Sequence, residues 1–252
     1  MGQSERHDLI KRLQASQFRG APFDLALLGK LGVSPQLAAK YVRGGWLVRL
    51  AQGVYSFPGD NLDEYRTIQF LQSKVAGLHV AGKSALALQG VRHNLMSRRL
   101  AVLWGDERFK LPGWFLSRFP ARYVSARLFA WPDKTLARTT LTKPPGVTAG
   151  LAVSTPERAV LELLYDVGTH EGVEEAHNLF AGMRNVRVDL VGRLLTCCTS
   201  VKAVRLFLTW ARETGLVDVD ALSRRYSLPT GSEKRWMTRL KDGTLLTLNP
   251  HG

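Results

Sequence analysis

The first chemistry-bearing spacing in the chain is Gly77-Leu78-His79-Val80-Ala81-Gly82-Lys83-Ser84, a full match to the G-x-x-x-x-G-K-[ST] pattern of phosphate-cradling loops. In such a loop backbone amides wrap the phosphates, the lysine neutralises them and the hydroxyl holds magnesium. Downstream, Leu100-Ala101-Val102-Leu103-Trp104-Gly105-Asp106-Glu107 has the form of an apolar strand ending in acids that could ligate that ion. The context argues otherwise. A phosphate loop needs a strand running into its first glycine, with free amides, whereas residues 63–76 read as an amphipathic helix with polar Glu64, Gln69, Gln72 and Ser73. Leu78, Val80 and Ala81 read as a short buried connection, and no alternation of strands and helices follows to build a parallel sheet. Lys83 and Ser84 are therefore expected in the first turn of an ordinary helix. The chain is expected to take no cofactor and not to be an enzyme, with an NTP-binding enzyme as the least favoured alternative.

Other reactive constellations are weaker. Glu107-Arg108-Phe109-Lys110 has the wrong spacing for a nuclease acid-x-Lys triplet, and Asp133-Lys134 lacks the intervening residue. His7, His79, His93, His170, His177 and His251 show no metal-ligand spacing with acids or cysteines, so no metal is expected. His170 and His177 are expected on the surface. Cys197 and Cys198 are adjacent in an apolar helical stretch and poorly placed to bond to each other, which predicts buried, inert free thiols.

What the elements position is more informative. Arg6 to Gln17, Asp24 to Leu31 and a segment opening at Ser34-Pro35 read as three helices, the last ended by Gly44-Gly45. Leu47-Val48-Arg49-Leu50 and Val54-Tyr55-Ser56-Phe57 then read as a hairpin around Ala51-Gln52-Gly53, and Pro58-Gly59-Asp60 closes the unit. That order predicts a winged helix-turn-helix over residues 1–60. Its second motif helix would enter a DNA groove, with Ser34, Gln36, Lys40 and Arg43 facing the duplex, Arg49 and Gln52 at the hairpin tip, and Trp46 and Tyr55 buried. Residues 61–252 read as a second domain, with a subdivision near 150. Helices are expected over 63–75 and 84–89, strands over 100–104 and 122–129, helices from Ser154 through about 214, and a closing strand over 244–248. The fold class is α+β: a winged helix-turn-helix, a mixed α/β segment and a mainly helical C-terminal region.

Charge supports a polyanionic partner. The 252 residues hold 35 Lys and Arg against 21 Asp and Glu, net +14. Residues 1–60 have 8 basic and 4 acidic side chains, 61–150 have 14 and 5, and 151–252 have 13 and 12. A last basic cluster, Lys234, Arg235, Arg239 and Lys241, has no assigned role. Free cysteines, the polar N-terminus and the absence of long apolar runs predict a cytoplasmic chain without a membrane partner.

Three stretches together resemble the AbiEi-type antitoxins of type IV toxin–antitoxin systems: Gly45-Trp46-Leu47-Val48-Arg49-Leu50-Ala51-Gln52-Gly53-Val54-Tyr55, the run Gly82 to Val91, and Ser154-Thr155-Pro156-Glu157-Arg158-Ala159-Val160-Leu161-Glu162. The resemblance implies repression of the protein's own operon through inverted repeats in double-stranded promoter DNA, and counteraction of a nucleotidyltransferase-like toxin. It transfers no toxin-neutralising residues, and it supplies an ordinary origin for the phosphate-loop match. The rival is a stand-alone regulator of a mobile element, without a toxin.

Overall fold

The computed structural model describes residues 19–91, 100–144, 146, 150–232, 234–239, 243 and 245–249. The helix expected over 6–17 lies outside them. The chain divides into two compact units. One comprises Met1–Ala76, Leu111–Phe119 and Val147–Leu151, the other Gly77–Lys110, Pro120–Gly146 and Ala152–Gly252.

In the first unit, helix α1 (Leu25–Lys30) begins behind Asp24, whose carboxylate accepts the Leu27 amide at 2.8 Å. Helix α2 (Pro35–Arg43) begins in the same way, with the Ser34 hydroxyl accepting the Leu37 amide at 3.2 Å and a proline at the first helical position. Each cap satisfies an amide that the first turn would leave bare. Strands β1 (Phe23–Asp24), β2 (Val48–Ala51) and β3 (Val54–Ser56) form an antiparallel sheet in the order β1-β3-β2. Phe23, Leu28, Val33, Ala38, Tyr41, Leu47, Tyr55 and Phe57 form the core between helices and sheet. Helix α3 (Glu64–Gln72), capped by Asp63, belongs to the same unit, as does a single helical turn over Gly113–Leu116.

One expectation fails here. Trp46 is 40% exposed. The turn through Gly44 and Gly45, the latter at φ +72°, delivers the chain so that Leu47 takes the inward position. Its neighbours Trp46 and Val48 are both left exposed, at 40% each.

The second unit is built on a five-stranded mixed sheet of β4 (His79–Val80), β5 (Ala101–Gly105), β6 (Ala121–Ser125), β7 (Leu141–Thr142) and β8 (Val153–Ser154), ordered β6-β5-β4-β8-β7. The β5–β6 and β4–β8 pairs are parallel, so parallel pairing occurs where none was expected. Strand β6 stops at Ser125, short of Phe129. Leu128 and Phe129 are instead buried, and Phe129 bridges Cys198. Around the sheet lie α4 (Gly82–Leu88), α5 (Lys134–Thr139), α6 (Pro156–Asp166), α7 (Val173–Ala181), α8 (Val188–Cys197), α9 (Val201–Thr214) and α10 (Val219–Arg225). The α4 helix opens two residues before the expected Ser84.

The closing strand has a partner the sequence did not announce: β9 (Trp236–Arg239) pairs antiparallel with β10 (Leu245–Leu248). Arg205 of α9, 1% exposed, ties down this end of the chain. Its guanidinium donates to the carbonyls of Thr230 at 2.7 Å, Ser232 at 2.5 Å, Lys234 at 2.9 Å and Leu248 at 3.4 Å. Among the described residues no carboxylate pairs with it, and the carbonyl dipoles face the buried charge. Among the described residues no helix is long and apolar enough to cross a membrane.

Candidate nucleic-acid interface

Helix α2 has two faces of opposite character. Ala38 and Tyr41 are buried, while Gln36, Lys40 and Arg43, spaced by four and then three residues, are exposed along one stripe. Ser34 is exposed as well, with its oxygen engaged as the helix cap. Arg49 is exposed on β2, and its Nε donates to the Ala51 carbonyl at 3.4 Å. Gln52 is exposed at the hairpin tip beside Gly53, whose φ of +72° a side-chain-bearing residue would adopt only with strain. That tip is tethered to the start of α1, where the Leu25 amide donates to the Gly53 carbonyl at 3.2 Å. All six sequence-selected residues thus sit on the surface of one small unit.

Their electrostatics are one-sided. The acids between residues 19 and 60 are Asp24 and Asp60, which pair with Lys74 and with Arg19 at 3.3 Å. Lys74 and the Leu27 amide outweigh the effect of burial and hold the Asp24 carboxyl below its usual range. No described acid pairs with Lys40, Arg43, Arg49 or the exposed Lys30, which sequence reasoning had not selected. A face with uncommitted cations and a capped helix N-terminus suits a phosphate backbone. Of the unassigned basic cluster, Lys234 and Arg235 are exposed, and Lys241 lies outside the described residues.

The phosphate-loop motif is built differently. It lies in the second unit, and its amides already have partners: Val80 donates to the Ala152 carbonyl at 3.0 Å, Ala81 to the Val102 carbonyl at 2.9 Å, and Gly82 to a Glu162 carboxylate oxygen at 3.1 Å. Lys83 lies 2.8 Å from Glu171 and 3.3 Å from Glu175. The Ser84 hydroxyl accepts the Val102 amide and donates to the Leu100 carbonyl. Gly82, at φ +50°, packs against the backbone of Leu163. The stretch is a sheet-to-helix junction in which the Val80, Ala81 and Gly82 amides, the Lys83 ammonium and the Ser84 hydroxyl are already engaged.

At the centre of that junction is a polar cluster the sequence did not reveal, because His79 and Glu162 are 83 residues apart. The fully buried Glu162 carboxylate meets His79 Nε2 at 2.9 Å, Arg158 Nε at 2.7 Å and the Ser154 hydroxyl at 2.8 Å. His79 Nδ1 faces the Gly77 carbonyl at 2.7 Å. Burial by itself would raise the Glu162 pKa, but the charges of His79 and Arg158 and the hydrogen bonds from His79 and Ser154 hold it at about 2. Elsewhere in the unit, burial pushes the Cys197 and Cys198 thiols up to about 11 and about 12. His170 and His177 are partly exposed beside Asp166 and Glu213. Among the described residues no group of three His, Cys, Asp or Glu could hold a metal ion.

Two family models match the chain. One, described as "Transcriptional regulator, AbiEi antitoxin N-terminal domain", covers residues 6–97. The other, described as "Transcriptional regulator, AbiEi antitoxin, Type IV TA system", covers residues 98–248. No curated protein matches. Among solved structures, the RV2827C protein from Mycobacterium tuberculosis superimposes with a TM-score of 0.53 at 17% identity, over 93% of this chain and 87% of that one. At that identity the likeness concerns the fold alone.

Proposed function

The chain belongs to the AbiEi antitoxin family of transcriptional regulators of type IV toxin–antitoxin systems, and we propose that its first sixty residues are a winged helix-turn-helix that represses the protein's own operon. The observation that carries this reading is the exposed stripe of Gln36, Lys40 and Arg43, with no acid paired to it among the described residues, on a helix whose other face is core. In a duplex, α2 enters the major groove led by its N-terminal end. Gln36 reads a base edge, Lys40 and Arg43 meet phosphates, with guanine also within the chemistry of Arg43, and Ser34 approaches the backbone at the helix start. Arg49 and Gln52 supply the hairpin contact. The repressor acts in the cytoplasm on inverted repeats, and the second unit serves the counteraction of a nucleotidyltransferase-like toxin.

The test is fluorescence anisotropy of the purified chain on the DNA upstream of its reading frame and on a shuffled duplex, at about 0.05 and 0.2 M salt. Preference for the upstream duplex that persists at the higher salt is expected. Equal binding to both duplexes there overturns the repressor reading.

A further inference from the structure

Strand β6 is the outer strand of the second unit's sheet, and one of its backbone edges faces away from every other strand. In its parallel ladder with β5, the Ala101 amide donates to the Pro120 carbonyl at 2.9 Å and the Ala126 amide to the Gly105 carbonyl at 3.3 Å. The alternation of a parallel ladder then directs the backbone groups of Arg122 and Val124 to β5 and those of Ala121, Tyr123 and Ser125 outward. No described residue hydrogen-bonds to the backbone of those three. Exposed edges are ordinarily kept short or blocked, and the opposite edge of this sheet, β7, has two residues. β6 has five.

Residues Arg122 to Ser125 of this strand line a cleft of about 450 Å³ together with Tyr165, Asp166, His170 and Lys202. The volume lies within the range of pockets that enclose a small ligand, about 300–1,000 Å³. The charges around it are unequal in availability. Arg122 is committed to Asp166 at 2.6 Å and Glu171 at 2.7 Å, and Glu171 is also paired with Lys83. Asp166 also faces His170 Nδ1 at 3.6 Å. Lys202 uses two of its three ammonium protons, on the carbonyls of Tyr165 at 2.6 Å and Val167 at 2.7 Å. One ammonium proton of Lys202 and the Nε2 side of the half-exposed His170 ring therefore remain for an incoming group, while Asp166 and Glu171 already face Arg122.

We propose that the β6 edge is a docking site for an extended segment of a partner protein, which joins the sheet as a sixth strand and presents an acidic side chain to Lys202 and His170. The outward amides and carbonyls of Tyr123 and Ser125 provide the main-chain pairing, and the cleft provides side-chain selectivity.

The probe is a blocked hexapeptide of alternating valine and threonine with one central aspartate, added at millimolar concentration to the full chain. Amide hydrogen exchange at Tyr123 and Ser125 should be fast in the free protein, against protected Arg122 and Val124, and should slow at least ten-fold with peptide. An N-methylated peptide should produce no slowing, and the asparagine version should bind at least five-fold more weakly. Ser125→Pro removes one outward donor without touching the β5 ladder and should weaken binding about ten-fold. The peptide arm stands independently should that variant fold poorly. Protected Tyr123 and Ser125 amides in the free protein, or equal response to the N-methylated peptide, overturn the docking edge. Equal binding of the asparagine peptide overturns the acidic partner.

Discussion

Lys40 and Lys83 set the two units side by side. Lys83 carries the stronger sequence signature, the terminal lysine of a complete phosphate-loop pattern, yet Glu171 and Glu175 neutralise it inside the second unit. Lys40 belongs to no motif, yet it stands exposed on a helix with no described acid paired to it. The same division extends further. Arg122, Arg158 and Arg187 of the second unit are tied to carboxylates, whereas Arg43 and Arg49 of the first have no acid partner among the described residues. A cation is available to a polyanion only where the fold has not already answered its charge. Motif identity does not decide that.

The comparison breaks most severely if the second unit's internal pairs prove dispensable. Glu162→Ala leaves His79 and Arg158 buried without their carboxylate, and breaking such a pair costs about 3–5 kcal/mol. At about 2–4 °C per kcal/mol for a chain of this size, scanning calorimetry should register a loss of roughly 10 °C. An unchanged melting temperature would remove the cluster from the stability of the unit. The same group gives a pH signature. Its folded pKa of about 2 lies below the ordinary 4.5, so its contribution is complete above 4.5 and fades as pH falls toward 2. The difference in melting temperature between the wild type and Glu162→Gln should therefore narrow across that window.

Arg205→Met comes next. It removes the donors to four carbonyls of the C-terminal stretch, some of them buried, at a cost of about 3 kcal/mol. Limited trypsin digestion should then cut after Lys234 or Arg235 several-fold faster, with the N-terminal unit intact. Lys83→Ala should cost less, about 1 kcal/mol, because Arg122 still faces Glu171. ATP titration should give the same null response for both forms. An ATP affinity lost on Lys83→Ala would restore the phosphate-loop reading.

Local signals were legible where the sequence carried local physics. Ser34-Pro35 marked the start of α2, Gly53 the hairpin tip, and Thr155-Pro156 the start of α6, because caps and turns depend on neighbouring residues. Strands of two residues, such as β4 and β8, have no period to detect, and their pairing joins Val80 to Val153 across the chain. That non-local partner drew the motif into the sheet. Trp46 was misplaced because an aromatic beside a core leucine reads as core, and only the direction in which the glycine turn releases the strand decides otherwise. The exposed stripe on α2 was readable from helical spacing. The partners of the two described acids of this stretch were not readable, since Lys74 and Arg19 pair with Asp24 and Asp60 from 50 and 41 residues away.

The smallest expected change in stability tests the other side of the comparison. Lys40→Ala removes an exposed side chain with no described ion pair, so unfolding free energy should move by less than about 0.5 kcal/mol and the melting temperature by no more than about 2 °C. Binding to the upstream duplex should nevertheless weaken, and its slope against log salt should flatten by about 0.9, the release of one condensed counterion. Arg43→Ala should do the same if it meets phosphate. If it instead reads a guanine, the slope should hold and discrimination against a changed base should relax. The decisive contrast is the pairing of readouts: Lys83→Ala alters melting and leaves the salt slope alone, and Lys40→Ala does the reverse. If Lys40→Ala lowered the melting temperature as much as Lys83→Ala and left the slope untouched, its charge would be engaged within the fold, and α2 would lose its claim to the duplex.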